Sequence, residues 1–125
     1  MKSKAAVLYT AGQPFEVCEV DVQSPKAGEV LVEIVAAGVC HTDYSVKTGQ
    51  LAAPLPAILG HEGAGVVREV GEGVTTVQPG DHVIALWRLA CGDCEYCDAS
   101  RPALCAAGTE IRASGRLQDG TSRFS

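Results

Sequence analysis

The sequence has no apolar run near the roughly 20 residues that a bilayer-spanning helix needs, which argues against a membrane segment. Positive charge is also scarce. Ten Lys and Arg stand against 15 Asp and Glu, for a formal net charge of −5, and the pI is near 5.1. A surface for nucleic acid or anionic membrane needs the opposite balance, so neither partner is expected. Aromatic residues make up only 5%, which leaves a globular composition rich in Val, Ala and Gly. The opening residues Met1-Lys-Ser-Lys-Ala-Ala-Val7 run straight into a strand-like stretch, so no signal peptide is read. Repeats and low-complexity tracts are missing. So is any Gly-x-Gly-x-x-Gly between a strand and a helix, the turn that cradles a dinucleotide pyrophosphate. A chain of 125 residues suits one domain with a single small core.

Cysteine, by contrast, is plentiful, with six in the chain. Without a secretion signal, that number fits a reducing cytoplasm and metal ligation better than disulfides. Four of them, Cys91, Cys94, Cys97 and Cys105, follow the spacing C-x2-C-x2-C-x7-C. Thiolates this close can surround one ion, and Zn2+ prefers four in a tetrahedron at about 2.3 Å each. Gly92 and Asp93 favour the tight turn that brings two sulfurs to one side. Disulfides compete, but C-x2-C pairs are poor structural bridges. An iron–sulfur cluster competes as well. The ferredoxin run closes with x3-C-P, whereas here the gap is x7 and Ala106 follows the last Cys. The expectation is a closed structural zinc site that staples a loop lobe over residues 88–106 and does no chemistry.

The rest of the chain reads as short strands between turn signals. Lys4–Thr10 and Phe15–Val22 are two strands separated by Ala11-Gly-Gln-Pro14. Cys18, in the second, reads as a small packed thiol. Glu29–Ala37 is the most β-rich stretch, with Val30, Val32 and Ile34 on one face and Leu31, Glu33 and Val35 on the other. Thr42 and Asp43 can cap a short helix running to about Thr48, with Gly49 ending it. The prolines of Leu51–Ala57 impose an extended loop. Gly63–Val70 and His82–Trp87 read as strands, and Asp119-Gly120 as a hairpin turn. Strands at this spacing suggest a barrel or sandwich.

Cys40 and His61 form a second group of candidate ligands. Each lies at the end of a strand-like run, near glycine, and two strand ends in one barrel can converge on a point. Glu62 adjoins His61, and Asp43 lies one short turn beyond Cys40. A carboxylate beside a ligating imidazole accepts its second N–H and fixes the ring. Two or three protein ligands leave a position open, as catalytic zinc requires. On spacing alone this signal is weak, because a His beside Gly is more often structural. His82 reads as structural, and His41 as solvated.

Together these stretches resemble the N-terminal, GroES-like domain of the zinc-dependent medium-chain alcohol dehydrogenases. Four segments carry the resemblance: Gly38-Val-Cys-His-Thr-Asp43; Gly60-His-Glu62 continuing through Gly65, Gly71 and Val74; Pro79-Gly-Asp81-x-Val83; and the four-cysteine lobe. The resemblance implies a mainly β fold, a GroES-like β-barrel with a short helix and the zinc-stapled lobe, spanning residues 1–125. It implies catalytic zinc on Cys40 and His61 with Glu62 as an exchangeable ligand, and Asp43 holding His61. It also implies Thr42 as the proton-passing hydroxyl, His41 near the cofactor pyrophosphate, and Trp87 in the substrate pocket. Zn2+ and NAD or NADP are the implied cofactors, and a small alcohol or aldehyde the implied substrate.

The sequence departs from that family in two respects. Ser45 stands where many members place the histidine that ends the proton relay. The Rossmann domain, a third zinc ligand and part of the barrel have no counterpart, so the chain reads as a first-domain fragment, inactive alone. The family's cytoplasmic location and its homodimers or homotetramers are expected of the full-length protein. The tail from Leu117 to Phe124 looks like the class III branch that oxidises thiol adducts of formaldehyde. Two other readings stand against these: a stand-alone zinc-stabilised GroES-like binding module without catalysis, and a small zinc ribbon for nucleic acid, which the acidic charge disfavours.

Overall fold

The computed structural model describes residues 1–125. Six strands and three short helices follow in the order β1 (Lys2–Leu8), β2 (Glu16–Asp21), β3 (Val30–Ala37), α1 (His41–Lys47), β4 (Ala57–Ile58), β5 (Gly63–Val70), β6 (His82–Ile84), α2 (Glu95–Asp98) and α3 (Ala106–Ser114), with a single 3-10 turn at Pro102–Leu104 before α3. The strands form two three-stranded antiparallel sheets, ordered β2-β1-β4 and β3-β5-β6. No helix is long and apolar enough to cross a membrane.

Strand β2 keeps the period of two expected of a half-buried strand. Cys18 and Val20 turn inward while Val17 is 75% exposed. Val20 joins Val7 and Val22 in the core, with Ala5, Cys18 and Leu31 packed around them. The core is small, with ten of 125 residues buried, and Leu8, Val67 and Cys105 are the largest fully buried side chains. Bulky apolar side chains consequently remain outside it, among them Val39 at 92% and Leu86 at 80% exposure.

Four sequence expectations need correcting. The first strand begins and ends two residues early, because Lys2 pairs with Asp21 and Leu8 with Ala57 of the other neighbour. Strand β3 does not alternate cleanly. Its pairing with β5 is offset between Leu31 and Val32 and again between Ile34 and Ala36, so the two faces exchange partway along. Strand β6 stops at Ile84 rather than Trp87, because Ala85 N–H already bonds the Gly63 carbonyl at 2.8 Å and β5 offers no partner beyond that residue. The Asp119-Gly120 turn closes, with Leu117 N–H on the Thr121 carbonyl at 3.0 Å, but it opens no two-stranded ladder. Asp119 instead accepts from the Thr121 N–H at 3.0 Å and hydroxyl at 2.7 Å. Helix α3 was not anticipated; the signals present were Cys105 at its N-cap and Gly115, left-handed at φ 64°, at its C-cap.

The tail is tied back by one guanidinium. Arg123 is 7% exposed and grips the Glu29 carboxylate with two hydrogen bonds, of 2.8 and 2.6 Å. It also reaches Asp119 at 2.6 Å, while Lys26 reaches the same carboxylate at 2.9 Å. Phe124 then bridges Val22. The Arg123 hydrogen bonds hold Glu29 below the usual carboxylate range. The hydroxyl of Thr121, with Arg123 and Lys26, does the same for Asp119. Both groups bind protons more weakly folded than unfolded, so their contribution is complete above the ordinary carboxylate pKa of about 4 and is lost as pH falls below it. The stability difference between wild type and Arg123→Met should therefore be large at pH 7 and shrink toward pH 3. Denaturant midpoints across that range test this, and a constant difference would show that the clamp does not hold the tail.

Candidate metal centres

The four clustered cysteines come together although they occupy separate elements. Cys91 precedes the turn, Cys94 caps α2, Cys97 lies within it, and Cys105 caps α3. All four sulfurs lie within 4.8 Å of one another. Cys94 and Cys97 are 3.6 Å apart and Cys91 and Cys97 4.0 Å. A zinc tetrahedron with Zn–S near 2.3 Å has edges of about 3.8 Å, so these sulfurs fit it. Cys105 is 1% exposed, and its sulfur accepts N–H groups from Gly108 at 3.3 Å and Cys91 at 3.4 Å. Those two donors, Gly108 foremost, pull its thiol down to about 7, toward the thiolate that binds metal.

The second group forms where β3 and β5 run out together. Ala37 pairs with Gly63, and Gly38 N–H bonds the Glu62 carbonyl at 2.9 Å. Cys40 follows on one side of that rung and His61 precedes it on the other. Gly60 supplies the turn into His61 at φ 124°, a conformation other residues rarely adopt. The donor atoms of Cys40, His61 and Glu62 all lie within 4.8 Å of one another. A thiol, an imidazole and a carboxylate make a donor set suited to zinc, and three ligands leave a fourth position open.

Asp43 braces this group. One oxygen accepts the Cys40 N–H at 3.2 Å and the other lies 3.7 Å from Nδ1 of His61. Asp43 thus faces Nδ1, while Nε2 faces the Glu62 carboxylate at 3.9 Å. The helix thus starts at His41 on a Cys40 cap, with Asp43 at its third position, instead of being capped by Thr42 or Asp43. Thr42 Oγ1 is 3.5 Å from the Cys40 sulfur, and Ser45 Oγ is 3.3 Å from Nδ1 of His41. Trp87 meets His61 edge-on with ring centroids 6.1 Å apart. Two residues without a sequence signal lie over it: the guanidinium carbons of Arg88 and Arg112 are 5.3 and 4.9 Å from the indole ring. Arg88 adjoins Trp87 in sequence, but Arg112 arrives on the unanticipated helix α3, and no local pattern links it to Trp87. His82, on β6, is exposed.

Residues 26–123 match the family described as the alcohol dehydrogenase GroES-like domain. The chain belongs to that family. It is similar to S-(hydroxymethyl)glutathione dehydrogenase of Escherichia coli O1:K1, with 52% identity covering all of this chain and 34% of the relative. Among solved structures it is similar to an alcohol dehydrogenase zinc-binding domain protein from Burkholderia ambifaria, with 42% identity and a TM-score of 0.91 over 99% of this chain and 33% of the other. Benzyl alcohol dehydrogenase from Acinetobacter calcoaceticus gives 39% identity and the same TM-score of 0.91, over 99% and 34%. This GroES-like chain thus spans about a third of the length of these relatives.

The two groups should behave differently toward zinc. One ion per chain should survive prolonged dialysis, and Cys97→Ser should release it and expose the amides of residues 88–106 to hydrogen exchange. Retention of that ion by Cys97→Ser would remove the four-sulfur cage as its site.

Proposed function

We propose that this chain is the zinc-bearing catalytic portion of a nicotinamide-dependent alcohol dehydrogenase. The observation that carries this reading is the convergence of Cys40, His61 and Glu62 beside the Thr42 hydroxyl. A purely structural domain needs one zinc cage and has no use for a second donor group with an open position. When bound there, zinc supplies Lewis acidity that makes an alcohol hydroxyl easier to deprotonate.

The chain's own residues do the rest. Cys40, His61 and Glu62 hold the ion, and Asp43 keeps the imidazole aimed at it. Thr42 takes the hydroxyl proton of the substrate and passes it on, since its own hydroxyl both accepts and donates. Ser45 and His41, already hydrogen-bonded to each other, provide a route for that proton toward solvent. A bound nicotinamide would accept the hydride from the carbinol carbon. His41 is the residue of this chain that lies toward the cofactor pyrophosphate in this reading. Cys91, Cys94, Cys97 and Cys105 hold the second ion and stiffen residues 88–106.

Trp87 forms a wall of the substrate site next to His61. The guanidiniums of Arg88 and Arg112 beside it favour a substrate with a negatively charged tail. A glutathione adduct carries carboxylates and fits that preference, as the name of the Escherichia coli relative suggests.

Joined to the remaining two thirds of that relative, this chain should support NAD-dependent alcohol oxidation. In that chimera, Thr42→Val should lower kcat by about 10²-fold or more with zinc content unchanged, and undiminished turnover by His61→Ala would overturn the assignment. Arg112→Ala should lower kcat/KM for S-(hydroxymethyl)glutathione about fivefold relative to benzyl alcohol, the size of one exposed ion pair. Equal losses for both substrates would deny the guanidinium a role in recognising charge.

A further inference from the structure

Gly38 is the first residue past β3, and its backbone conformation is one that any residue can adopt, since its φ lies outside the positive range. Nevertheless it has no room for a side chain. A Cβ placed there would lie 2.1 Å from Glu62 Oε2, 3.1 Å from Glu62 Cβ and 3.2 Å from Glu62 Cδ. These are the three nearest atoms to that position outside its chain neighbours, and all three belong to Glu62. The tightest contacts are therefore with one side chain, that of Glu62, whose own backbone carbonyl accepts the Gly38 N–H at 2.9 Å. The carboxylate lies across bare backbone, and from there it shares the 4.8 Å grouping with Cys40 and His61.

We propose that Gly38 is a positioning residue for the open metal centre: its missing side chain is the space that lets the Glu62 carboxylate stand beside Cys40 and His61. This rests on the proposal above that these three residues hold the catalytic ion. A methyl group at position 38 competes with the carboxylate oxygen for one volume. The oxygen ends a flexible chain and gives way, so the strand survives and the third donor is lost. The close approach of Glu62 Cβ prevents a slight tilt from accommodating both.

The test is a titration of the chain with Co2+, its four-cysteine cage already filled with zinc. Wild type should take up one further ion. Gly38→Ala should bind it about tenfold more weakly, as expected when a supporting residue of a metal site is removed, and Glu62→Ala should lose a similar factor. The double variant should bind no more weakly than Glu62→Ala, because the methyl then fills vacated space. Wild-type affinity in Gly38→Ala, or losses that multiply in the double variant, would overturn the proposal while leaving the metal centre intact. Failure of wild type to take up a second ion would instead remove the centre, and the proposal with it. Should Gly38→Ala alone unfold, recovery of the fold in the double variant carries the same conclusion, and its failure to recover overturns it.

Discussion

The register between β3 and β5 governs everything that follows. Side chains alternate across a strand, so a slip by one residue would turn every side chain to the opposite face. The ladder begins at Val30 opposite Val70 and ends at Ala37 opposite Gly63. Between these rungs it carries two irregularities. Arg68 is the extra residue on β5, and Val35 the extra residue on β3. Each shifts the pairing by one, in opposite senses, so the register at the far end matches that at the start. The Val35 irregularity lies close to the end of the ladder from which Cys40 and His61 emerge, a recurrent position for such features. Loss of either bulge alone would put Gly38 out of step with Glu62 and separate the donors.

The two candidate metal centres differ in how much of the fold each requires. The four-cysteine cage draws all its donors from fifteen consecutive residues. Two short helices, α2 and α3, bring Cys94, Cys97 and Cys105 together, and an ion would lock that geometry locally. In the proposed enzyme the cage is an independent staple. The open centre needs Cys40 and His61, twenty-one positions apart, and only the completed sheet joins them. A defect in the sheet should therefore disable the open centre long before it empties the cage.

That difference also accounts for what the sequence reveals. Cys91, Cys94, Cys97 and Cys105 announce themselves by spacing, because their meeting is a local event. Cys40 and His61 are weak by spacing, and only the surrounding pattern from Gly38 to Val74 made them a pair. The bounds of β5 match the sequence reading to the residue, since glycines border it on both sides and valines fill its middle. Other features depend on partners that no local pattern names. The early end of β6 follows from where β5 stops, and the bulges in β3 follow from what lies opposite. Arg112 reaches Trp87 only because α3 folds back from the cage. The tail looked like half a hairpin, yet Arg123 and Glu29, 94 positions apart, decide its path.

Asp43 connects the helix to the metal centre in a way that neither alone explains. An acidic side chain in the first turn of a helix is favoured by the unpaired N–H groups there, and a carboxylate at the third position caps them by reaching back. Asp43 does this at the Cys40 N–H. The same carboxylate faces Nδ1 of His61, which arrives from a separate strand. One carboxylate thus caps the start of α1 and faces the imidazole. An asparagine at this position would still cap the helix. It would bring no negative charge to the imidazole, so in the proposed centre the ring would lose the carboxylate that faces its Nδ1. Helical structure and metal affinity are thereby separable at a single residue, which is where the chain joins its folding to its proposed chemistry.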